Sequence, residues 1–404
     1  MRARALFSLL LAALAVPARG EGLLDQLDEA LTFSGFEDRA RLRISGLLDL
    51  EFYTVDEPPF ALINSSSNQL FNPRLSLFLD AQFGSKFYAF AQARVDRGFD
   101  PASDGARVRL DEYALRFTPW EDGRFNLQVG KFSPVVGNWA ARHLSWDNPF
   151  VTAPLPYEHL TRISDYGVPS SSKEFLYGRY AGRAYGYNPI LWSAGYTTGV
   201  SIAGKLGKFE YAAELKNASL SSRPESWDAT DGGFDHPTFS TRIGYRPSPA
   251  WNFGLSASSG AYLRPEAERY LPRGRDRGDY LQTVLGQDIS YAAGHFQIWA
   301  EFYEARFDVP NVGHADTFAY YIEAKYKFTP AFYGALRWNQ QLFADVPYGR
   351  DGERRWGQNI WRADAALGYR FSPHTQLKVQ YSLENEDGPR GPSNALGVQF
   401  TLRF

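Results

Sequence analysis

Apolar and polar residues alternate at every second position in segments that recur along most of the chain. The last segment, LGVQFTLRF (396–404), puts leucine, valine and phenylalanine on one face and glycine, glutamine, threonine and arginine on the other. Alternation with period two over about ten residues is typical of a β-strand whose two faces meet different surroundings. We therefore predict about sixteen strands, within a range of roughly 14 to 18. They cover 40–54, 70–83, 86–97, 106–118, 123–133, 192–204, 207–218, 237–247, 250–262, 280–291, 295–307, 316–328, 331–343, 358–371, 375–385 and 393–404.

The connections between these segments alternate in length. Two-residue turns at 84–85, 248–249 and 373–374 alternate with longer polar connections such as 219–236. The short connections therefore lie at one end of the strand array and the long connections at the other, as in outer-membrane barrels with periplasmic turns and external loops. The pattern predicts an all-β protein, a transmembrane antiparallel up-and-down β-barrel over residues 40–404.

Charged residues fall on the face opposite the apolar side chains, so the predicted barrel has a lipid-facing outside and a wet inside. A sheet in lipid cannot leave an edge unpaired, because each unpaired backbone group there costs several kcal/mol. The last strand is therefore expected to pair with the first, with Phe404 at the periplasmic rim as a C-terminal assembly signal. Aromatic residues crowd the short turns, as in the interfacial girdle of a membrane barrel. The predicted girdle consists of Phe83, Phe87, Trp120, Phe125, Tyr245, Trp251, Phe328, Phe332, Tyr369 and Phe371.

One connection, from 134 to 191, is far longer than the others, and a connection of such length is usually functional. A sixteen-stranded barrel is about 35 Å across, too wide for side chains to fill. We therefore predict that this third external loop folds into the lumen and constricts it. The alternatives are a loop over the outside, a contact in a trimer, or two extra strands within 160–186. The candidate pore-lining residues are Arg94, Lys131, Arg142, Asp147, Glu158, Arg162, Arg179 and Arg183.

A more specific hypothesis concerns four of these cations. Arg142 and Arg162 of the loop, with Arg94 and Lys131 of the strands, would form a positive side of the constriction. Lys131 follows Gly130 and breaks the alternation, so the pattern does not settle which way its side chain points.

The first twenty residues have the features of a secretory signal peptide, since Arg2 and Arg4 precede a short apolar run. Residues 21–39 would then be a periplasmic N-terminal segment, in which LLDQLDEAL is a candidate for a short helix. Without residues 1–20 the chain carries 40 Lys and Arg against 45 Asp and Glu. This mild charge, together with export, argues against a nucleic-acid partner.

Composition narrows the classes further. The chain has no cysteine, which excludes disulfides, thiolate metal sites and thiol nucleophiles. After residue 20 no window of 18 apolar residues occurs, which excludes helical membrane spans. Six scattered histidines include no pair with metal-ligand spacing, and we expect neither a metal nor a cofactor.

Two stretches resemble a known family. LQVGKFSPVVG (127–137), followed after the loop by TTGVSIAGKLGKFEYAAELKNAS (197–219), is similar to the sixteen-stranded phosphate-selective porin O and P family. In that family a glycine-lysine strand end leads into the pore loop. The resemblance covers 40–404 and implies a trimeric channel in the outer membrane of a Gram-negative bacterium, with an inward-folded third loop. It does not imply phosphate selectivity, because no basic ladder can be matched residue by residue.

The predicted inward face carries fifteen basic and twelve acidic residues, which is nearly balanced. A filter for one sign would line its narrowest point with one charge. We therefore predict a porin, a passive diffusion channel for small hydrophilic solutes or ions with at most a slight anion preference. Its partners would be the lipid bilayer, lipopolysaccharide, the outer-membrane assembly machinery and further copies in a homotrimer. The alternatives are a substrate-specific channel for phosphate, other small anions or sugars, and a structural or adhesive barrel.

An enzyme is the least favoured class. His143, Ser145 and Asp147 in the loop supply the three residue types of a catalytic triad. In an extended segment alternate residues stand about 6.6 Å apart, too far for direct hydrogen bonds between short side chains. We therefore predict no enzymatic activity.

Overall fold

The computed structural model describes residues 17–35, 39–57, 67–96, 107–181, 186–192, 194–223, 233–350, 352–389 and 391–404. Most of the predicted signal peptide lies outside these residues, and so does the candidate pore residue Arg183. The signal peptide and the domain boundaries that follow from it stay predictions.

Strands make up most of the described chain, and the helices are short. Helix α1 spans Pro17–Ala30 and α2 spans Ser172–Tyr177. The strands are β1 (Thr32–Gly35), β2 (Ala40–Val55), β3 (Gln69–Phe83), β4 (Phe87–Asp96), β5 (Arg107–Phe117), β6 (Asn126–Phe132), β7 (Thr197–Leu206), β8 (Phe209–Lys216), β9 (Thr238–Ser248), β10 (Trp251–Ala261), β11 (Leu281–Ala293), β12 (Phe296–Val309), β13 (Gly313–Lys327), β14 (Phe332–Phe343), β15 (Asp345–Tyr348), β16 (Gly352–Arg355), β17 (Ile360–Arg370), β18 (Thr375–Glu386) and β19 (Ser393–Arg403).

Sixteen of these strands, β2 to β14 and β17 to β19, form one closed antiparallel barrel. Each pairs with the next barrel strand along the chain, and β19 pairs with β2 through register partners such as Phe400 and Leu50. Closure leaves no barrel strand with a free edge. The prediction of a sixteen-stranded up-and-down barrel that closes last strand on first is therefore confirmed.

The strand ends that meet the external connections differ from the predicted ones. Strand β7 begins at Thr197 rather than at 192, because Trp192, Ala194 and Tyr196 leave the ladder and form a buried cluster. Strand β13 begins at Gly313 rather than at 316, so it and β12 are joined by a tight turn. The region 160–186 holds α2 and, among its described residues, no strand. The connection after β14 contains a hairpin of its own, β15–β16.

The N-terminal segment lies at the end of the barrel where the short turns are, here called the short-turn end. Strand β1 pairs with the start of β2. The preceding helix α1 contains the LLDQLDEAL stretch, and it contacts the barrel through Asp25 with His374 Nε2 (2.7 Å) and through Asp28 with Arg43 Nη2 (2.9 Å). No helix in the described part of the chain is long and apolar enough to cross a membrane.

The barrel has apolar side chains on its outside and charged side chains on its inside, which is the reverse of a water-soluble protein. Outward-pointing Leu336 and Ile243 are 67% and 60% exposed, whereas inward-pointing Arg337 and Lys378 are 2% and 0% exposed. An exposed apolar outside around a polar interior is the arrangement of a barrel whose outer solvent is lipid.

The ten aromatic residues of the predicted girdle all lie at or beside the short turns. Most of their rings are exposed, and several pack in pairs, such as Trp120 with Phe125 at 5.9 Å and Tyr369 with Phe371 at 4.9 Å between ring centroids. Their assignment to a membrane interface stays a prediction.

The closure of the barrel depends on a close approach between Gly46 and the last residue. Gly46 N–H donates to the Phe404 carbonyl at 2.9 Å, and a Cβ on residue 46 would lie 2.5 Å from the Phe404 ring. We expect Gly46→Ala to lower the free energy of unfolding by about 1–3 kcal/mol through this overlap. Urea unfolding of the refolded barrel in detergent measures the change.

Two further variants make this test specific. In a Phe404→Ala background the Gly46→Ala penalty should largely disappear, because the ring is gone. Gly391→Ala, where a Cβ would meet open space, is the matched control. Equal Gly46→Ala penalties in both backgrounds would show that the contact with Phe404 is not the cause.

Candidate functional site

Buried ion pairs join neighbouring strands across the inward face of β14, β17 and β18. Arg337 Nε donates to Asp364 Oδ2 at 2.8 Å, and Arg362 Nη1 donates to Glu158 Oε1 at 2.6 Å. Asp364 also accepts a hydrogen bond from Ser382 Oγ at 2.5 Å. Because these groups are buried, removing one partner would leave an uncompensated charge. This part of the wall therefore holds its charges in fixed pairs.

A second set of pairs covers the inward face of β2 to β5. Arg74 Nη2 donates to Glu51 Oε1 at 2.6 Å, and both Arg94 and Arg109 contact Asp96, at 2.7 and 2.6 Å. Arg94, a predicted pore-lining residue, is thus held in an ion pair on its own side of the barrel.

Strand β5 contributes inward-facing charges that the alternation did not identify. The register of β4 with β5 shifts between Gln92 and Ala93, which leaves Asp111 as an extra residue in β5. A bulge of this kind changes which residues face inward on either side of it, so Arg109 and Asp111 but also Glu112 and Arg116 face inward. The adjacent polar residues Asp111 and Glu112, within an otherwise alternating strand, are the sequence signal for this bulge.

The long connection between β6 and β7, residues 133–196, is attached to the inward face of the opposite wall. The backbone N–H groups of Asn138 and Trp139 donate to Glu301 Oε1 at 2.5 and 2.9 Å, and Tyr157 OH donates to Glu301 Oε2 at 2.7 Å. One carboxylate of β12 therefore joins two parts of the connection that are distant in sequence.

Two predicted pore residues also attach the connection to the barrel. Arg142 Nη1 donates to Glu323 Oε1 at 2.7 Å, and its guanidinium lies 4.3 Å from the centre of the Trp299 ring. Glu158 pairs with Arg362, as described above. Burial raises the pKa of the Glu158 carboxyl above its ordinary value, although Arg362 acts in the opposite direction. Both residues therefore make structural contacts in addition to any effect on solutes.

Lys378 of β18 donates three hydrogen bonds to this connection. Its Nζ donates to the backbone carbonyls of Ser145 at 2.7 Å, Asn148 at 3.0 Å and Phe150 at 2.9 Å. The neighbouring Gln380 accepts from the N–H of Val151 at 2.6 Å. These bonds satisfy backbone groups that the connection cannot pair within itself.

Aromatic packing completes the attachment. Trp139 and Tyr157 are in contact at 4.7 Å between ring centroids, and Tyr157 meets Tyr303 of β12 edge-on at 6.1 Å. Further out, Phe175 of α2 stacks on Trp356 at 5.9 Å. All five side chains are at most 2% exposed, so the connection has a hydrophobic core that is continuous with the wall.

The four cations predicted to form one positive side are bound to different partners, and their joint effect on ions stays a prediction. Arg162 donates to the backbone carbonyls of Phe175 at 2.7 Å and Gly178 at 2.6 Å, so it stabilises the end of α2. Arg142 pairs with β13 and Arg94 with β4, as described above. Each guanidinium group binds the acceptors nearest to it, because its N–H groups need partners where water is scarce.

The remaining candidates differ in their exposure. Lys131 is buried, and its Nζ donates to the Leu110 carbonyl at 3.2 Å. It follows Gly130, whose φ of +144° and contact with β5 admit no side chain. Asp147 and Arg179 are exposed. Of the predicted set that the structure describes, these two side chains are the exposed ones, and their effect on solutes stays a prediction.

His143, Ser145 and Asp147 do not form a triad. His143 Nδ1 lies 2.5 Å from the Ala140 carbonyl, which can only accept, so Nδ1 carries the proton and Nε2 accepts from Tyr196 OH at 2.7 Å. Burial lowers the pKa of His143 to about 4, and its ring is neutral at pH 7. Both ring nitrogens are thus occupied, and the buried Ser145 Oγ has no hydrogen-bond partner among the residues that the structure describes.

A cavity of about 600 Å³ lies between the connection and the wall formed by β2 to β5. Its lining includes Arg43, Asp80, Tyr88, Gln92 and Glu112 from the barrel and Ala141, His143, Leu144 and Asp147 from the connection. The connection thus covers the wall from β11 to β18 and leaves open space on the other side. Within the described ranges, no group of three or more His, Asp or Glu side chains is arranged to hold a metal ion.

Solved structures of outer-membrane channels have a similar fold. The anion-selective porin from Comamonas acidovorans covers 90% of this chain and 100% of its own, with a TM-score of 0.58 and 10% identity. The alignment with Salmonella typhi OmpF, in a complex with daunomycin, covers 92% of this chain and 100% of OmpF, with a TM-score of 0.55 and 12% identity. The alignment with the outer membrane channel DcaP of Acinetobacter baumannii covers 92% of this chain and 100% of DcaP, with a TM-score of 0.55 and 11% identity.

No protein-family model matches the sequence, and no curated protein matches it. The structural similarity confirms the coarser part of the predicted resemblance, a sixteen-stranded barrel of the porin type. Membership of the phosphate-selective porin O and P family stays a prediction.

The contacts of Lys378 predict how firmly the connection is held. Lys378→Met keeps the length of the side chain but takes away the donor of the buried Asn148 and Phe150 carbonyls, while Gln376 Nε2 still donates to the Ser145 carbonyl at 3.3 Å. Each buried carbonyl left without a donor costs about 1–3 kcal/mol. We expect faster protease cleavage within 133–196 and a lower midpoint in urea. Lys205→Met, at a lysine whose side chain is 65% exposed, is the control. Equal cleavage rates in the two variants would contradict the role of Lys378.

The low pKa of His143 predicts a dependence of stability on pH. Below pH 6.5 the unfolded chain binds a proton on this ring, whereas the folded protein does so only near the folded pKa of about 4. The free energy of unfolding should therefore fall as the pH is lowered through this window. His143→Gln should reduce the loss between pH 7.5 and 5.5 by about 1 kcal/mol.

Urea titrations at the two pH values measure this loss. His295→Gln, at an exposed turn histidine, is the control and should leave the loss unchanged. The assignment fails if both variants lose as much stability as the parent protein.

Proposed function

We propose that the protein is a porin of the Gram-negative outer membrane, a passive diffusion channel for small hydrophilic solutes and ions. The observation that carries this proposal is the closed sixteen-stranded barrel with an apolar outside and a charged inside. Sixteen strands enclose more space than the side chains of their own inward face can fill. Water and solutes are the natural occupants of a polar space of that width.

The proposal includes a constriction formed by the long connection, 133–196, folded into the lumen. Its bonds to Glu301, Glu323 and Lys378 support this, because all three side chains belong to the inward face. The open passage would then run beside β2 to β5, where the cavity described above lies.

The paired charges at the proposed constriction support a channel that selects solutes by size rather than one that selects ions of one sign. Selection for one sign requires unpaired charges of that sign at the narrowest point. Here Arg142, Arg337 and Arg362 all contact carboxylates, and Glu158 contacts Arg362. The passage is therefore expected to discriminate by size.

Assembly is the remaining part of the proposal. OmpT of Vibrio cholerae, which has the same fold with a TM-score of 0.55 and 10% identity, is described as a trimer, and we extend that state to this chain. Phe404, paired with Gly46 at the rim, would be the signal read by the assembly machinery. Lipid and lipopolysaccharide would cover the exposed apolar surface.

Conductance in planar lipid bilayers tests the proposed function. Purified protein should produce stepwise, stable increases of current in KCl, and the heat-denatured protein should produce none. Liposome swelling should fall steadily with the mass of neutral sugars, as expected of a sieve.

Three outcomes are distinguishable in these experiments. Steps that small solutes leave unblocked support a general channel. Silent bilayers would contradict it and favour a structural or adhesive barrel. Block by one solute at micromolar concentration would instead favour a substrate-specific channel.

A further inference from the structure

The cations of the inward face fall into two groups according to their partners. In the first group each guanidinium has a carboxylate oxygen within 3.0 Å: Arg74, Arg94, Arg242, Arg337 and Arg362. The second group includes Lys325, Lys327, Arg370 and Arg403, which have no carboxylate of the described residues within 4.0 Å. These four side chains are therefore not held in direct ion pairs.

The second group lies at one end of the barrel. Lys327, Arg370 and Arg403 are the last residues of β13, β17 and β19, which all end at the short-turn end. Lys325 is on the same face of β13, two residues earlier. Arg43, near the start of β2, lies beside the last strand, and we call these five residues the basic arc.

The members of the arc are close enough to act on one ligand. The guanidinium groups of Arg370 and Arg403 lie 4.9 and 4.3 Å from the centre of the same ring, that of Trp146. Lys325 interacts electrostatically with the cations Arg370 and Lys327 and with the carboxylates Glu323 and Asp147. Arg403 interacts with the cations Arg370 and Arg43 and with the carboxylates Asp147 and Asp28.

Neutral groups accept the hydrogen bonds of the two arginines of the arc that end strands β17 and β19. Arg370 donates to Gln376 Oε1 at 3.0 Å and to the Trp146 carbonyl at 3.2 Å, and Arg403 donates to the Pro373 carbonyl at 2.9 Å. Arg403 and Lys327 are exposed. Such an arrangement attracts anions, because unpaired charges on a concave, partly desolvated wall raise the local concentration of counter-ions.

One carboxylate of the N-terminal segment reduces the charge of the arc. Asp28 of α1 accepts three hydrogen bonds from Arg43: its Oδ1 accepts from Nε at 3.2 Å and from Nη2 at 2.9 Å, and its Oδ2 accepts from Nη2 at 3.2 Å. Asp25 holds the same helix against His374. The helix therefore places a negative charge at the edge of the arc.

We propose that the basic arc is an anion-binding station at the short-turn mouth, which takes small inorganic anions and carboxylates, and that Asp28 weakens it by neutralising Arg43. The inference rests on the proposed channel function. It assigns the choice between anions and cations to the short-turn mouth. The part of the passage that is lined by paired charges selects solutes by size.

The reversal potential across a tenfold KCl gradient tests the station in single channels. The double variant Lys327→Gln, Arg403→Gln should lower the permeability ratio of chloride to potassium, by about twofold for each charge removed. Asp28→Asn should raise the ratio, because it frees Arg43. Arg306→Gln, which removes a charge from an outward-facing residue that is 53% exposed, should leave the ratio unchanged.

The shifts of opposite sign separate the station from general damage to the protein. Should the double variant fail to fold, Asp28→Asn still decides, since a ratio that does not rise overturns the proposal. Inorganic phosphate is the second probe, and it should reduce the chloride current more when added at the short-turn side than at the other. Normal conductance with unchanged ratios in all variants overturns the station alone, whereas a silent parent protein overturns the channel function itself.

Discussion

The requirement that every backbone N–H and C=O in lipid finds a partner within the protein governs this molecule. Sixteen antiparallel strands meet it only when β19 pairs with β2. Phe404 then has to fit against Gly46, and the close contact at that point leaves no room for a side chain on residue 46. The apolar outside and the alternation along each strand follow from the same constraint, because a closed sheet has one face toward lipid and one toward the interior.

The inward face has a different requirement, since the charged groups that the long connection buries there must find partners within the protein. The long connection supplies many of the partners. Glu301 binds two of its backbone N–H groups, Lys378 binds three of its carbonyls, and Arg362 binds its Glu158. Groups that are saturated in this way hold the connection in place and offer little to a passing ion. Attachment of the connection and selection of ions by charge are therefore expected to reside on different residues.

This division gives the proposed passage two levels with different physical character. Beside β2 to β5 the passage is bounded by paired charges and by the connection, so its width determines which solutes pass. At the short-turn mouth the basic arc retains unpaired positive charge next to the N-terminal helix, whose Asp28 neutralises Arg43. The helix is thus part of the electrostatics of the mouth and not only an appendage of the barrel.

The sequence by itself determined the class of fold, the sixteen strands, their closure and the position of the long connection, because period-two alternation and turn spacing are local properties of the chain. Only the tertiary structure decided which side chains meet. Lys378 binds a carbonyl 233 residues away, and Arg142 binds a carboxylate 181 residues away, so neither contact leaves a local signal. The bulge at Asp111 changed the face of Glu112 and Arg116, and Arg162 turned toward the backbone of α2. Strand patterns are set by the two solvents on either side of the wall, whereas the partners of a buried charge are set by whichever distant groups the closed barrel brings within reach.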